Sequence, residues 1–108
     1  MKIVTHCPHC FNSLKNEYAE FGVELDVIHH SELLEHLIKE GKNIGKQKSS
    51  GNVVYHDSCY LGRHNEIYDA PRVVATRSTE SGKVFDVEAS RERGTCCGAG
   101  GGRFLLEE

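Results

Sequence analysis

Apolar positions along this chain come in short runs and helical spacings separated by polar stretches. Ile3-Val4-Thr5 has strand length, and Phe11, Leu14, Tyr18 and Phe21 then recur at helical spacing up to Gly22. That order predicts a strand, a loop and a helix closed by a glycine. Val23 to Ile28 alternates in part and predicts a second strand. Ser31 supplies an N-cap for a helix bearing Leu33, Leu34, Leu37 and Ile38 before Gly41. Residues 42–51 are polar and glycine-bearing, so they read as a surface loop between two halves. Beyond them Val53-Val54-Tyr55 predicts a third strand running into His56-Asp57-Ser58-Cys59. Residues 70–77 predict a helix with Pro71 in its first turn, and Lys83 to Glu88 a fourth strand.

Strands alternating with helices imply an α/β class, with a mostly parallel sheet flanked by helices and right-handed crossovers. Ligands of such sheets sit beyond the carboxyl ends of the strands. Three cysteine groups are expected at such ends: Cys7 and Cys10 in C-P-H-C, Cys59 alone, and Cys96-Cys97 in C-C-G-A-G-G-G-R.

A length of 108 residues allows one domain and excludes two independent cores. With 27% charged residues, a net charge of -3 and no basic stripe, the chain lacks the footprint of a nucleic-acid binder. No apolar run has the length of a membrane span, and M-K-I-V-T-H lacks the features of a signal peptide. A cytoplasmic location is expected, with any membrane contact made through partners. Five cysteines in a reducing compartment, an odd number in clusters, favour metal ligands or catalytic thiols over disulfides.

C-x-x-C lets two thiolates reach one metal from a single turn, and a helix starting behind it directs free N–H groups at them. The same arrangement suits a thioredoxin-like dithiol, and the motif alone leaves both readings open. Adjacent cysteines diverge, so Cys96-Cys97 suits a centre of several metal atoms, such as an iron–sulfur cluster. Gly98-Ala99-Gly100-Gly101-Gly102 would let backbone amides approach the sulfurs. A phosphate loop is disfavoured, because the Lys-Ser/Thr of a Walker motif is absent.

C-P-H-C-F-N-S-L-K-N-E-Y, Y-H-D-S-C-Y-L-G-R-H-N, A-P-R and C-C-G-A-G-G-G-R together resemble the cysteine-rich CCG domain of heterodisulfide reductase and related iron–sulfur oxidoreductases, including glycolate oxidase iron–sulfur subunits. The resemblance runs through almost the whole chain. In that family each repeat reads Cys, Cys-Cys, C-x-x-C, and the complete set binds a 4Fe-4S cluster of non-cubane form, with zinc in some repeats. Cys59, Cys96 and Cys97 match the first three cysteines of one repeat. Cys7 and Cys10 match the C-x-x-C that closes the preceding one, so residues 1–108 form a single CCG-type domain spanning parts of two tandem repeats. Ser58 stands where the family usually has proline.

The resemblance implies electron transfer inside a larger iron–sulfur oxidoreductase, the chain not being catalytic alone. The implied partners are a flavin-dependent dehydrogenase or other redox subunit and further cysteine-rich and ferredoxin-like domains. The implied ligands are Cys59, Cys96 and Cys97, then Cys7 and Cys10. Two rivals stand beside it. One is a structural zinc module held by four of the cysteines, and the other a dithiol oxidoreductase using Cys7 and Cys10. His6, His9 and His56 lie near cysteines as candidate ligands or hydrogen-bond donors. Arg63, Arg72, Arg91, Arg93 and Arg103 could offset the charge of a thiolate cluster, and Asp57 reads as a hydrogen-bonding loop residue.

Overall fold

In the computed structural model, residues 1–42, 48–99 and 105 are described. Residues 43–47 of the expected inter-half loop, and Gly100-Gly101-Gly102-Arg103 of the glycine run, lie outside them. The first half consists of β1 (Lys2–Thr5), the helical stretch from Pro8 to Glu20, β2 (Asp26–His29) and α3 (His30–Lys39). That stretch is α1 (Pro8–Asn12), a π-helical turn (Ser13–Glu17) and α2 (Tyr18–Glu20). Gly22, with φ of 80°, closes it in the left-handed region where glycine carries no Cβ penalty. The second half consists of β3 (Val53–Tyr55), α4 (Asp69–Arg77), β4 (Val84–Asp86) and a short 3-10 turn (Arg91–Arg93).

β1 pairs in parallel with β2, with Lys2 opposite Asp26, and β3 pairs in parallel with β4, with Val53 opposite Val84. The α/β class and the parallel pairing hold. One mostly parallel sheet does not: two separate two-stranded ladders stand in its place. The strands are only three or four residues long. Among the described residues no backbone ladder joins the two pairs, which meet through side chains and helices. Phe11 and Val27 of the first half pack with Leu61 of the second, flanked by Ile3, Leu14, Leu25 and Ile67. α3 packs on α4. Phe11 is fully buried, so truncating it to alanine should cost about 3–5 kcal/mol.

One cap differs from expectation. His29, not Ser31, caps α3: its Nδ1 accepts the N–H of Ser31, while the Glu32 carboxylate accepts the N–H of His29 at 3.0 Å. This is a capping box with histidine in the capping role. Ser31 is instead buried one turn in, with its hydroxyl 2.7 Å from the same ring nitrogen.

Candidate metal centre

Cys7 lies just past β1 and caps α1, its Sγ accepting the N–H of Cys10 at 3.5 Å. Pro8 occupies the first helical turn, where its missing N–H costs nothing. The hydrogen bond from the Cys10 amide leads the effects that lower the Cys7 thiol below its ordinary value, against the opposing effect of burial. Cys10 is raised, because its side chain hydrogen-bonds to Cys7 and meets the charge there. The pair therefore ionises unequally, Cys7 first.

Cys59 is half-buried in the loop after β3, between Asp57 and Leu61, which point inward. Cys96 and Cys97 are exposed and do not lie directly past a strand end as expected. The Arg91–Arg93 turn intervenes between β4 and this pair. Cys96 Sγ accepts the N–H of Gly98 at 3.3 Å, and Gly98 has φ of 80°. The small residue after the pair thus brings an amide to sulfur.

Among the described residues no group of three or more His, Cys, Asp or Glu side chains is placed to hold one metal ion. The fit to an iron–sulfur group is one of donor chemistry: thiol sulfurs in three segments, two of them already met by backbone amides. His6, His9 and His56 make other contacts. The His6 carbonyl lies 3.1 Å from His29 Nε2, the His9 ring lies 4.1 Å from that of Tyr60, and His56 Nε2 lies 2.8 Å from the Thr95 carbonyl. A carbonyl only accepts, so His29 and His56 each carry a proton on Nε2. Burial lowers the His29 pKa, and the neighbouring His30 charge adds to that.

The arginines turn to protein acceptors. Arg72 is held by Asp57 and Asp86, Arg91 by Asp69, while Arg63 and Arg93 donate to the carbonyls of Gly94 and Glu88. Arg103 lies outside the described residues. Asp57 is the hydrogen-bonding residue expected. Burial raises its carboxyl, but the Arg72 fork and the Arg91 N–H outweigh this and hold it below the ordinary range.

Sequence reasoning missed a polar network between the halves. Asn16 donates to Asn12 Oδ1 and Asn65 Oδ1, both at 2.8 Å, and Asn65 donates to Asn12 Oδ1 at 3.2 Å and to the Tyr60 carbonyl at 2.7 Å. The spacing of Asn12 and Asn16, one helical turn apart and next to C-P-H-C, was the available signal. A cavity of about 390 Å³ lies between the strand ends of the two halves, lined in part by His6, His29, His30, Tyr55, His56 and Ser58.

The profile of the CCG cysteine-rich domain matches residues 53–107. The chain is 48% identical over 107 residues to the probable iron–sulfur-binding oxidoreductase FadF of Bacillus subtilis, covering 99% of this chain and 15% of that protein. It is 47% identical over 107 residues to the EtfAB:quinone oxidoreductase of Syntrophomonas wolfei, again covering 99% of this chain and 15% of the relative. To one subunit of the dihydromethanophenazine:CoB–CoM heterodisulfide reductase of Methanosarcina mazei it is 38% identical over 104 residues, 94% of this chain and 25% of the relative. The chain thus spans a quarter or less of these relatives. No solved structure matches it. The matched residues hold Cys59, the Cys96-Cys97 pair and the Asp57 and Arg63 contacts between them, and on that ground the chain belongs to the CCG cysteine-rich domain family.

Proposed function

We propose that the chain is an iron–sulfur module that carries electrons within a larger oxidoreductase. Cys59, Cys96 and Cys97 serve as ligands of one 4Fe-4S cluster, and Cys7 and Cys10 as ligands of the same or a neighbouring centre. The observation that carries this reading is the family match across Cys59 and Cys96-Cys97, joined to relatives named as iron–sulfur-binding, quinone-linked and heterodisulfide-reducing proteins.

When bound, such a cluster supplies a one-electron carrier whose potential depends on hydrogen bonds to its sulfurs. The N–H groups of Cys10 and Gly98 already meet sulfur and would stabilise thiolate charge. Asp57 and Arg63 brace the backbone that runs into Cys96. Residues 1–108 form one unit drawn from two tandem repeats. The remainder of a relative-sized protein would supply further cysteine-rich and ferredoxin-like domains and the contact with a flavin-dependent partner. The chain would work in the cytoplasm and would not be catalytic alone.

The unequal ionisation of Cys7 and Cys10 favours a second reading, a dithiol that exchanges with disulfides through Cys7. Zinc as an alternative occupant of the thiolates forms a third. Replacing Cys59 separates them. Cys59→Ala should abolish metal uptake under either metal reading, and leave dithiol exchange at Cys7 unchanged under the second.

A further inference from the structure

Two sets of contacts leave the loop that carries Cys59, in opposite directions, and each ends on a different cysteine group. Toward the C-x-x-C helix, Asn65 joins Asn12 and Asn16, with Asn12 buried, and the Tyr60 ring lies 4.1 Å from that of His9. Toward Cys96, Asp57 accepts the Arg91 N–H at 2.6 Å, Arg63 donates to the Gly94 carbonyl, and His56 donates to the Thr95 carbonyl at 2.8 Å. Gly94 is buried against Asp57: a Cβ added there would lie 3.5 Å from the Asp57 Cβ and 3.1 Å from the Arg91 carbonyl oxygen. Arg91 is held at φ of 55°, a strained conformation that persists where surrounding contacts impose it.

We propose that residues 56–65 form a two-sided clamp, in which Tyr60 and Asn65 position the C-x-x-C helix while His56, Asp57 and Arg63 position the segment entering Cys96-Cys97. The clamp rests on the functional reading for its purpose, which is to fix thiols from two repeats relative to one another before any metal arrives. Its physical content is independent of metal. Each side is a separate set of hydrogen bonds, so each can be loosened without the other.

The test is hydrogen exchange read by mass spectrometry on the metal-free chain. Asn65→Ala should speed exchange about fivefold in peptides from residues 8–17 and leave residues 90–97 unchanged, the factor that one hydrogen bond of ordinary net strength gives. Arg63→Met should do the reverse, and Arg63→Lys, which keeps a donor for Gly94, should restore slow exchange in 90–97. A rise across both segments in either variant would mean general loosening and overturn the clamp, as would no change in either. Iron uptake by the unaltered chain is measured in parallel. Its failure would sink the functional reading alone, because the exchange pattern judges the clamp by itself.

Discussion

Asp57 takes both terminal guanidinium nitrogens of Arg72, at 2.8 and 2.7 Å, in a parallel two-bond pair that is almost wholly buried. Arg72 also reaches Asp86 at the end of β4 and the Tyr68 carbonyl at the start of α4, so one side chain ties β3, β4 and α4 together. Breaking a buried pair leaves an uncompensated charge. Asp57→Ala should therefore cost about 3–5 kcal/mol in urea unfolding. Arg72→Lys should cost less, because a single ammonium cannot make the fork but keeps the charge. Equal stability of Asp57→Ala and the parent would refute the arrangement.

The same pair predicts acid behaviour. The Asp57 carboxyl is held below its ordinary value in the folded chain, so the unfolded chain takes up the proton more readily in acid. Its stabilisation is complete above the unfolded value of about 4 and is lost as pH falls through the lower folded value. Unfolding followed by circular dichroism should show a loss of stability below about pH 4 that is absent in Asp57→Asn.

His29 adds a second, milder step at higher pH. Burial lowers its pKa from 6.5, so the folded chain resists the proton that the unfolded chain accepts. The contribution is full above pH 6.5 and falls as pH drops from there through the folded value. A proton on Nδ1 would also face the Ser31 N–H that this nitrogen accepts. His29→Asn keeps a capping oxygen for α3 and should flatten the stability profile between about pH 6.5 and 5. His30, lowered by its own burial, accounts for the slope that remains.

Two backbone positions in the Cys59 loop give opposite expectations. Glu66 is exposed at φ of 58°, where a side chain is strained, and Glu66→Gly should raise stability by about 0.5–1 kcal/mol. A Cβ at Gly62 would lie 2.5 Å from the Tyr68 ring, so Gly62→Ala should displace that ring and cost about 1–3 kcal/mol. Thermal melts of the two variants should move in opposite directions.

The local elements were legible because short-range signals decide them. Val53-Val54-Tyr55 is a strand as read, and Pro71 stands in the first turn of α4. Gly22 and Gly41 both take positive φ after a helix. The π-helical turn was hidden, since Phe11, Leu14, Tyr18 and Phe21 fit an ordinary helix equally well. Ser31 has better capping chemistry than His29 by residue type, but β2 delivers His29 into a buried slot where its ring reaches both Ser31 and the His6 carbonyl. The arginines read as cations for a cluster are drawn to Asp57, Asp69 and Asp86 by tertiary proximity that residue spacing does not contain. The cysteine groups were legible as ligand chemistry. Their mutual placement was not, because it depends on the contacts of Asn65, Asp57 and Arg63 across the molecule.

The central claim is that these thiols hold an iron–sulfur cluster. Elemental analysis for iron, zinc and acid-labile sulfide, on chain purified without oxygen and read with its visible spectrum, tests it most directly. Iron with sulfide in a brown sample, lost in Cys59→Ala, is the predicted result. Zinc alone at about one per chain, in a colourless sample that unfolds on chelation, would contradict it and establish the structural site instead.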